Sequence, residues 1–175
     1  MGGPLIVVPV SALDHWGGGT QEGIMTGGTG PADDYDRACA VTGWAGVISV
    51  GSSAALVLGD EPASTCYLAG ERTFVRWLAA DSDAEVFGAA EVMLNDPRTE
   101  WELCGVWETD GAAVLMDSAE AGTDLGVEYP GGGTPEQAPI DVPAGSWSVL
   151  AAARTDEFPW ICLVRLVQTT PQSFG

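Results

Sequence analysis

An α+β fold, mostly antiparallel β-sheet built from hairpins with two short helices on one face, is predicted by three observations. Short valine-rich apolar runs recur between clusters of glycine, proline and aspartate. Residues 71–94 carry helical spacing and a capping box. Asp110-Gly111 separates two apolar runs, the strongest short-range hairpin signal, because both turn positions tolerate φ > 0 as a type I′ turn requires.

With Asp110 and Gly111 as loop residues, Thr109 faces Ala112, Glu108 faces Ala113, Trp107 faces Val114 and Val106 faces Leu115. Both faces of this ribbon are largely apolar, so it is expected in the middle of a sheet. An earlier stretch has the same design: Gly46-Val47-Ile48-Ser49-Val50, a small-residue turn at Gly51-Ser52-Ser53, then Ala54-Ala55-Leu56-Val57-Leu58. Duplication and chance similarity between valine-rich hairpins both account for the match.

The remaining elements follow in order. Residues 5–10, apolar and bounded by prolines, read as the first strand. Ser11 to Trp16 suit one helical turn, and Pro31 marks the start of a short helix through Asp33, Asp34, Tyr35 and Asp36. Residues 64–68 are strand-like. Phe74, Trp77 and Leu78 share one helical face over 71–80, with Arg72 and Arg76 on another. Ser82 and Glu85 cap a second helix, 83–94, expected to bury Val86, Phe87, Ala90, Met93 and Leu94 before Asn95-Asp96-Pro97 ends it. The last third is β again. Ile140-Asp141-Val142-Pro143 is followed by 146–152, with Trp147, Val149 and Ala151 inward, and a turn at 156–159 leads into 160–167.

Length and composition bound the architecture and the partners. One domain is expected over 1–175, with flexible loops at 17–30 and 120–139 and a tail at 169–175. Six arginines, no lysine and 25 acids give a net charge of −19, a surface that repels nucleic acid and anionic membrane and attracts basic partners. Cys39, Cys66, Cys104 and Cys162 form no Cys-x-x-Cys pair, so free buried thiols are expected. No basic start precedes an apolar segment, and 4–10 is too short to span a bilayer, which places the chain in the cytoplasm.

Catalytic signatures are sparse. The one histidine, His15, lies between Asp14 and Trp16 without a nucleophile elbow or a metal-spaced partner. The glycine runs at 17–19 and 27–30 lack a P-loop lysine. Asp33, Asp34 and Asp36 resemble a fragment of a calcium loop without its turn glycine or final glutamate, so a solvated acidic face is expected instead. No cofactor and no metal are predicted. Of seven tryptophans, Trp77, Trp107, Trp147 and Trp160 read as core, while Trp16 and Trp44 flank loops and are better placed for contact.

Several motifs in fixed order carry a resemblance. They are Gly2-Gly3-Pro4-Leu5-Ile6-Val7-Val8-Pro9, Asp33-Asp34-Tyr35-Asp36-Arg37-Ala38, Leu58-Gly59-Asp60-Glu61-Pro62-Ala63, Phe74-Val75-Arg76-Trp77 and Val114-Leu115-Met116-Asp117-Ser118. Together they resemble the immunity protein 21 family over nearly the whole chain. The resemblance implies a cytoplasmic, non-enzymatic protein that binds and neutralises a toxin domain deployed between competing bacteria. A nuclease toxin with a basic cleft would suit a −19 partner, which could associate fast by steering. The expected contacts are Asp33, Asp34, Asp36, Asp60, Glu61, Asp156 and Glu157 in loops at one end of the sheet, with Tyr35 or Trp16 as apolar anchor. A small hydrolase built around His15 and a self-associating β module, monomeric or homodimeric, are the competing classes.

Overall fold

The computed structural model describes residues 3–59 and 62–169. Its elements in chain order are β1 (Leu5–Pro9), α1 (Asp34–Cys39), β2 (Gly46–Val50), β3 (Ser53–Leu58), β4 (Thr65–Leu68), β5 (Thr73–Ala79), α2 (Asp83–Asn95), β6 (Glu102–Thr109), β7 (Ala113–Asp117), β8 (Gln137–Ile140), β9 (Gly145–Arg154) and β10 (Trp160–Gln168). Short 3-10 turns occupy Val10–His15 and Gly122–Asp124. The strands form two antiparallel sheets, ordered β2-β3-β1-β7-β8 and β4-β5-β10-β9-β6.

Period-two alternation divides the side chains among three apolar layers. Val7, Leu56, Leu58 and Leu115 of the first sheet meet Phe74, Trp107, Trp147, Val149 and Val164 of the second in the central core. The alternate residues Ile6, Val8, Val57 and Met116 face outward and are covered by Ala12, Trp16, Ala38 of α1 and Leu125. On the far side Val75, Ile161 and Leu163 pack under α2 through Val86, Ala89, Ala90 and Met93. A strand buried on both faces reads as a continuous apolar run, which is why β1, β3 and β10 lack polar alternation.

Much of the predicted order holds. The β2–β3 hairpin forms with Val50 opposite Ser53 and Gly51 at φ +56, a left-handed position that glycine accepts without a Cβ clash. Ser82 caps α2 by accepting from Glu85 N at 3.3 Å, while the Glu85 carboxylate reaches back to Asp81 N at 2.9 Å. Trp147, Val149 and Ala151 point inward on β9. The 3-10 turn at Val10–His15 fills the place of the predicted helical turn and shortens the first strand to Pro9.

Other expectations are corrected. Residues 71–80 are not a helix; Thr73–Ala79 is β5, with Phe74 in the central core and Val75 beneath α2. A strand covered on both faces places apolar residues at helical spacings by default, and that mimics amphipathicity. Only one of the two predicted helices therefore exists, and α1 lies over the opposite sheet from α2. The helix near Pro31 begins at Asp34, capped by Asp33.

The hairpin expected at Asp110-Gly111 also does not form: β6 pairs with β9, and β7 pairs with β1 and β8 in the other sheet. Gly111 has φ +142 and Asp110 has no positive φ, so the type I′ geometry is absent. Instead Thr109 Oγ1 donates to Gly111 O at 2.9 Å, and the chain crosses from one sheet to the other. The apparent repeat of the β2–β3 design loses its structural basis with that hairpin. Phe87 is 43% and Trp160 45% exposed, so neither belongs to the core. β8 begins at Gln137, inside the stretch expected as loop.

Candidate functional site

The acids of the Asp33-Asp34-Tyr35-Asp36 cluster at the start of α1 are bonded within the chain, and only Asp36 is buried. Asp33 accepts from Asp36 N at 2.8 Å, and Asp36 returns the bond by accepting from Asp33 N at 3.0 Å. Asp33 Oδ2 also accepts from Thr20 N at 2.6 Å, and Asp34 from Gly17 N at 2.8 Å and Arg37 Nη1 at 2.6 Å. Asp36 is buried and takes Ile24 N and Met25 N, both at 2.7 Å. Burial alone would raise its carboxyl, but the N–H groups of Met25, Asp33 and Ile24 outweigh it and hold the pKa below the ordinary value. The solvated acidic face expected here is thus a clamp that fastens the 17–30 segment onto α1.

The other predicted contact residues lie apart from one another. Trp16 is 1% exposed, its Nε1 donating to Ser118 O at 3.2 Å, so it is withdrawn from the surface. Tyr35 is half-buried, with its phenol pushed up by burial and by Cys39. Asp156 and Glu157 are exposed at the β9–β10 turn in the second sheet, whereas α1 lies over the first. Asp60 and Glu61 lie outside the described residues.

Two concave regions remain. The larger, about 640 Å³, opens between the β7–β8 edge of the first sheet and the segment before β4. Leu5, Leu115 and Ala138 line its apolar part, and Asp117, Glu120 and Glu136 its acidic part. Tyr129 donates to Glu120 there at 2.7 Å, and that bond pushes its phenol up to about 12. The smaller, about 390 Å³, lies where β6 begins, between Trp44 and Trp101 with Glu100 and Glu102.

From that corner a partly apolar face runs along β6 that the predicted residue set does not contain. Leu103 lies opposite Leu150, and Val106 opposite Ser148, which in turn faces Val167. Leu103 is 63% and Val106 48% exposed, beyond the part of the sheet that α2 covers. Glu102 and Glu108 on this strand, and Glu100 and Asp110 just beyond its ends, are exposed, and their carboxylates have no partner among the described residues. The signal lies in the sequence of β6 itself, where outward Val106 and Glu108 alternate with inward Trp107 and Thr109.

Nucleophilic chemistry has little support in this arrangement. His15 is exposed and lines neither cavity. All four cysteines are free, and burial raises each thiol, Cys162 to about 11 despite the neighbouring Arg76, so none is activated. Among the described residues no group of three or more His, Cys, Asp or Glu side chains could hold a metal ion, and no helix is long and apolar enough to cross a membrane.

A family model described as immunity protein 21 matches residues 1–158. No curated protein and no solved structure matches the chain.

Proposed function

The chain belongs to the immunity protein 21 family, and from that premise we propose that it neutralises a cognate bacterial toxin domain by covering the toxin's active surface in the cytoplasm. The observation that carries this reading is the −19 charge together with a row of exposed carboxylates that have no partner among the described residues. Such a field draws a basic protein inward at rates above unassisted diffusion and then competes for whatever anionic substrate that protein binds. A toxin acting on nucleic acid has the basic cleft that such a surface fits. Inhibition of this kind transforms no substrate. The raised thiols and the exposed His15, which lines neither of the two concave regions, are consistent with a protein that acts by occupancy.

Stoichiometry tests the proposal directly. The toxin domain encoded beside this gene, titrated with purified immunity protein, is expected to lose activity linearly to an end point of one equivalent. The association rate should fall as salt is raised. Complete protection by a small fraction of an equivalent would mean turnover, and would overturn the occupancy mechanism in favour of an enzyme.

A further inference from the structure

Among the described residues, only half of the outer face of the second sheet is covered. α2 packs over Val75, Ile161 and Leu163, and beyond it Leu103 and Val106 of β6 and Val167 of β10 stand open to solvent on the two strands that flank β9. An aliphatic patch on a monomer surface marks an interaction site when something complementary rims it. Glu108 shares that face beyond Val106, and Glu102, opposite Ala151, is exposed on the other side of the same edge strand. At its end the cavity between Trp44 and Trp101 combines two indoles with the carboxylates of Glu100 and Glu102.

That combination has a chemical preference visible within the chain. A cation is attracted to an indole face and more so beside a carboxylate. The Arg165 guanidinium lies 5.9 Å from the Trp101 ring centroid and 3.8 Å from Glu71. Trp101 thus already takes one guanidinium against its ring, while the Glu100 and Glu102 carboxylates of the corner have no cation beside them among the described residues. A second copy of this chain is a poor occupant, because it would bring Glu102 and Glu108 against like charges on a molecule of net charge −19.

Resting on the proposed immunity function, we infer that the toxin docks on this open half of the second sheet. An apolar patch of the toxin covers Leu103 and Val106, and an adjacent arginine or lysine enters the Trp44–Trp101 corner between Glu100 and Glu102. The apolar part supplies residence time and the acidic corner supplies orientation and association rate. The large cleft on the opposite edge, with Glu120 and Glu136, stays outside the interface.

Surface plasmon resonance against the toxin domain encoded beside the gene tests this with three double variants, each checked for an unchanged melting temperature. Leu103→Ser with Val106→Ser should weaken binding about 100-fold, chiefly through faster dissociation. Glu100→Gln with Glu102→Gln should weaken it about 10-fold, chiefly through slower association, with the difference closing at high salt. Glu120→Gln with Glu136→Gln in the cleft should bind as wild type does. Wild-type affinity in both β6 variants overturns the inference while leaving the immunity function standing. So does a loss confined to the cleft variant, or the Leu103/Val106 variant dissociating a dimer with toxin affinity intact. If the apolar variant unfolds, the charge variant decides alone. Failure of the wild-type protein to bind the toxin overturns the function itself, and this assignment with it.

Discussion

The acids of α1 and those of β6 are alike in the sequence and unlike in the molecule. Asp33, Asp34 and Asp36 each accept at least two bonds from within the chain, half of them from backbone N–H groups of the 17–30 segment. Glu102, Glu108 and Asp110 accept none among the described residues. A carboxylate whose lone pairs are filled internally stabilises the fold and contributes only its long-range field to a partner. One left to water can exchange that water for a partner's cation at the moment of contact. Charge count alone therefore says how strongly the molecule attracts, and hydrogen-bond occupancy says where.

The sharpest way to break this comparison lies within β6. Trp107 is fully buried in the central core, its indole N–H donating to Ala54 O at 2.9 Å, while its neighbour Val106 faces solvent. Trp107→Ala should cost about 3–5 kcal/mol in denaturant unfolding, the usual range for emptying a large core site. Val106→Ser alone should change stability by no more than about 0.5 kcal/mol, as exposed positions do. A large stability loss at Val106 would mean that the outer face is structural, and would remove the distinction between the two sides of the strand.

A smaller effect is expected at α1. Asp36→Asn keeps the shape but removes the charge that three backbone N–H groups share, so melting should fall by several degrees and the Ile24 and Met25 amides should lose their exchange protection. The pH dependence has a definite sign. The Asp36 carboxyl sits below its ordinary 3.8 in the folded state, so as pH falls past that value the unfolded chain takes up the proton first. Its stabilising contribution is complete above 3.8 and is lost only as pH drops through the lower folded value. Acid titration followed at those two amides should show this transition in the wild type and lose it in the variant.

How far the sequence reveals these regions depends on the range of the forces that set them. The β2–β3 hairpin, the Ser82 cap, β9 and β10 are legible because their signals are local. β5 is misread because Phe74, Trp77 and Leu78 satisfy helical spacing as readily as a strand buried on both faces does. The separation of β6 from β7 is invisible locally, since Asp110-Gly111 says that the chain turns and not which sheet it enters. The site behaves likewise. Acidity is legible as a sum, but that Asp36 points into the 17–30 segment while Glu108 points to water depends on backbone brought together over long separations.

The smallest effect belongs to Glu157, one of the acids expected at the partner surface. It pairs with Arg154 at 3.3 Å, but Arg154 is also held by the backbone carbonyls of Glu157 and Phe158, both at 3.2 Å. The Glu157 side chain is 78% exposed, so the ion pair is screened and adds little to what those carbonyls already fix. Glu157→Ala should therefore shift stability by less than about 0.5 kcal/mol in denaturant titration. Arg154→Ala should cost more, because it also removes the two bonds that tie the β9–β10 turn. Equal losses in the two variants would show that the carboxylate holds the turn, placing Glu157 with the inward-bonded acids of α1 rather than with the open row on β6.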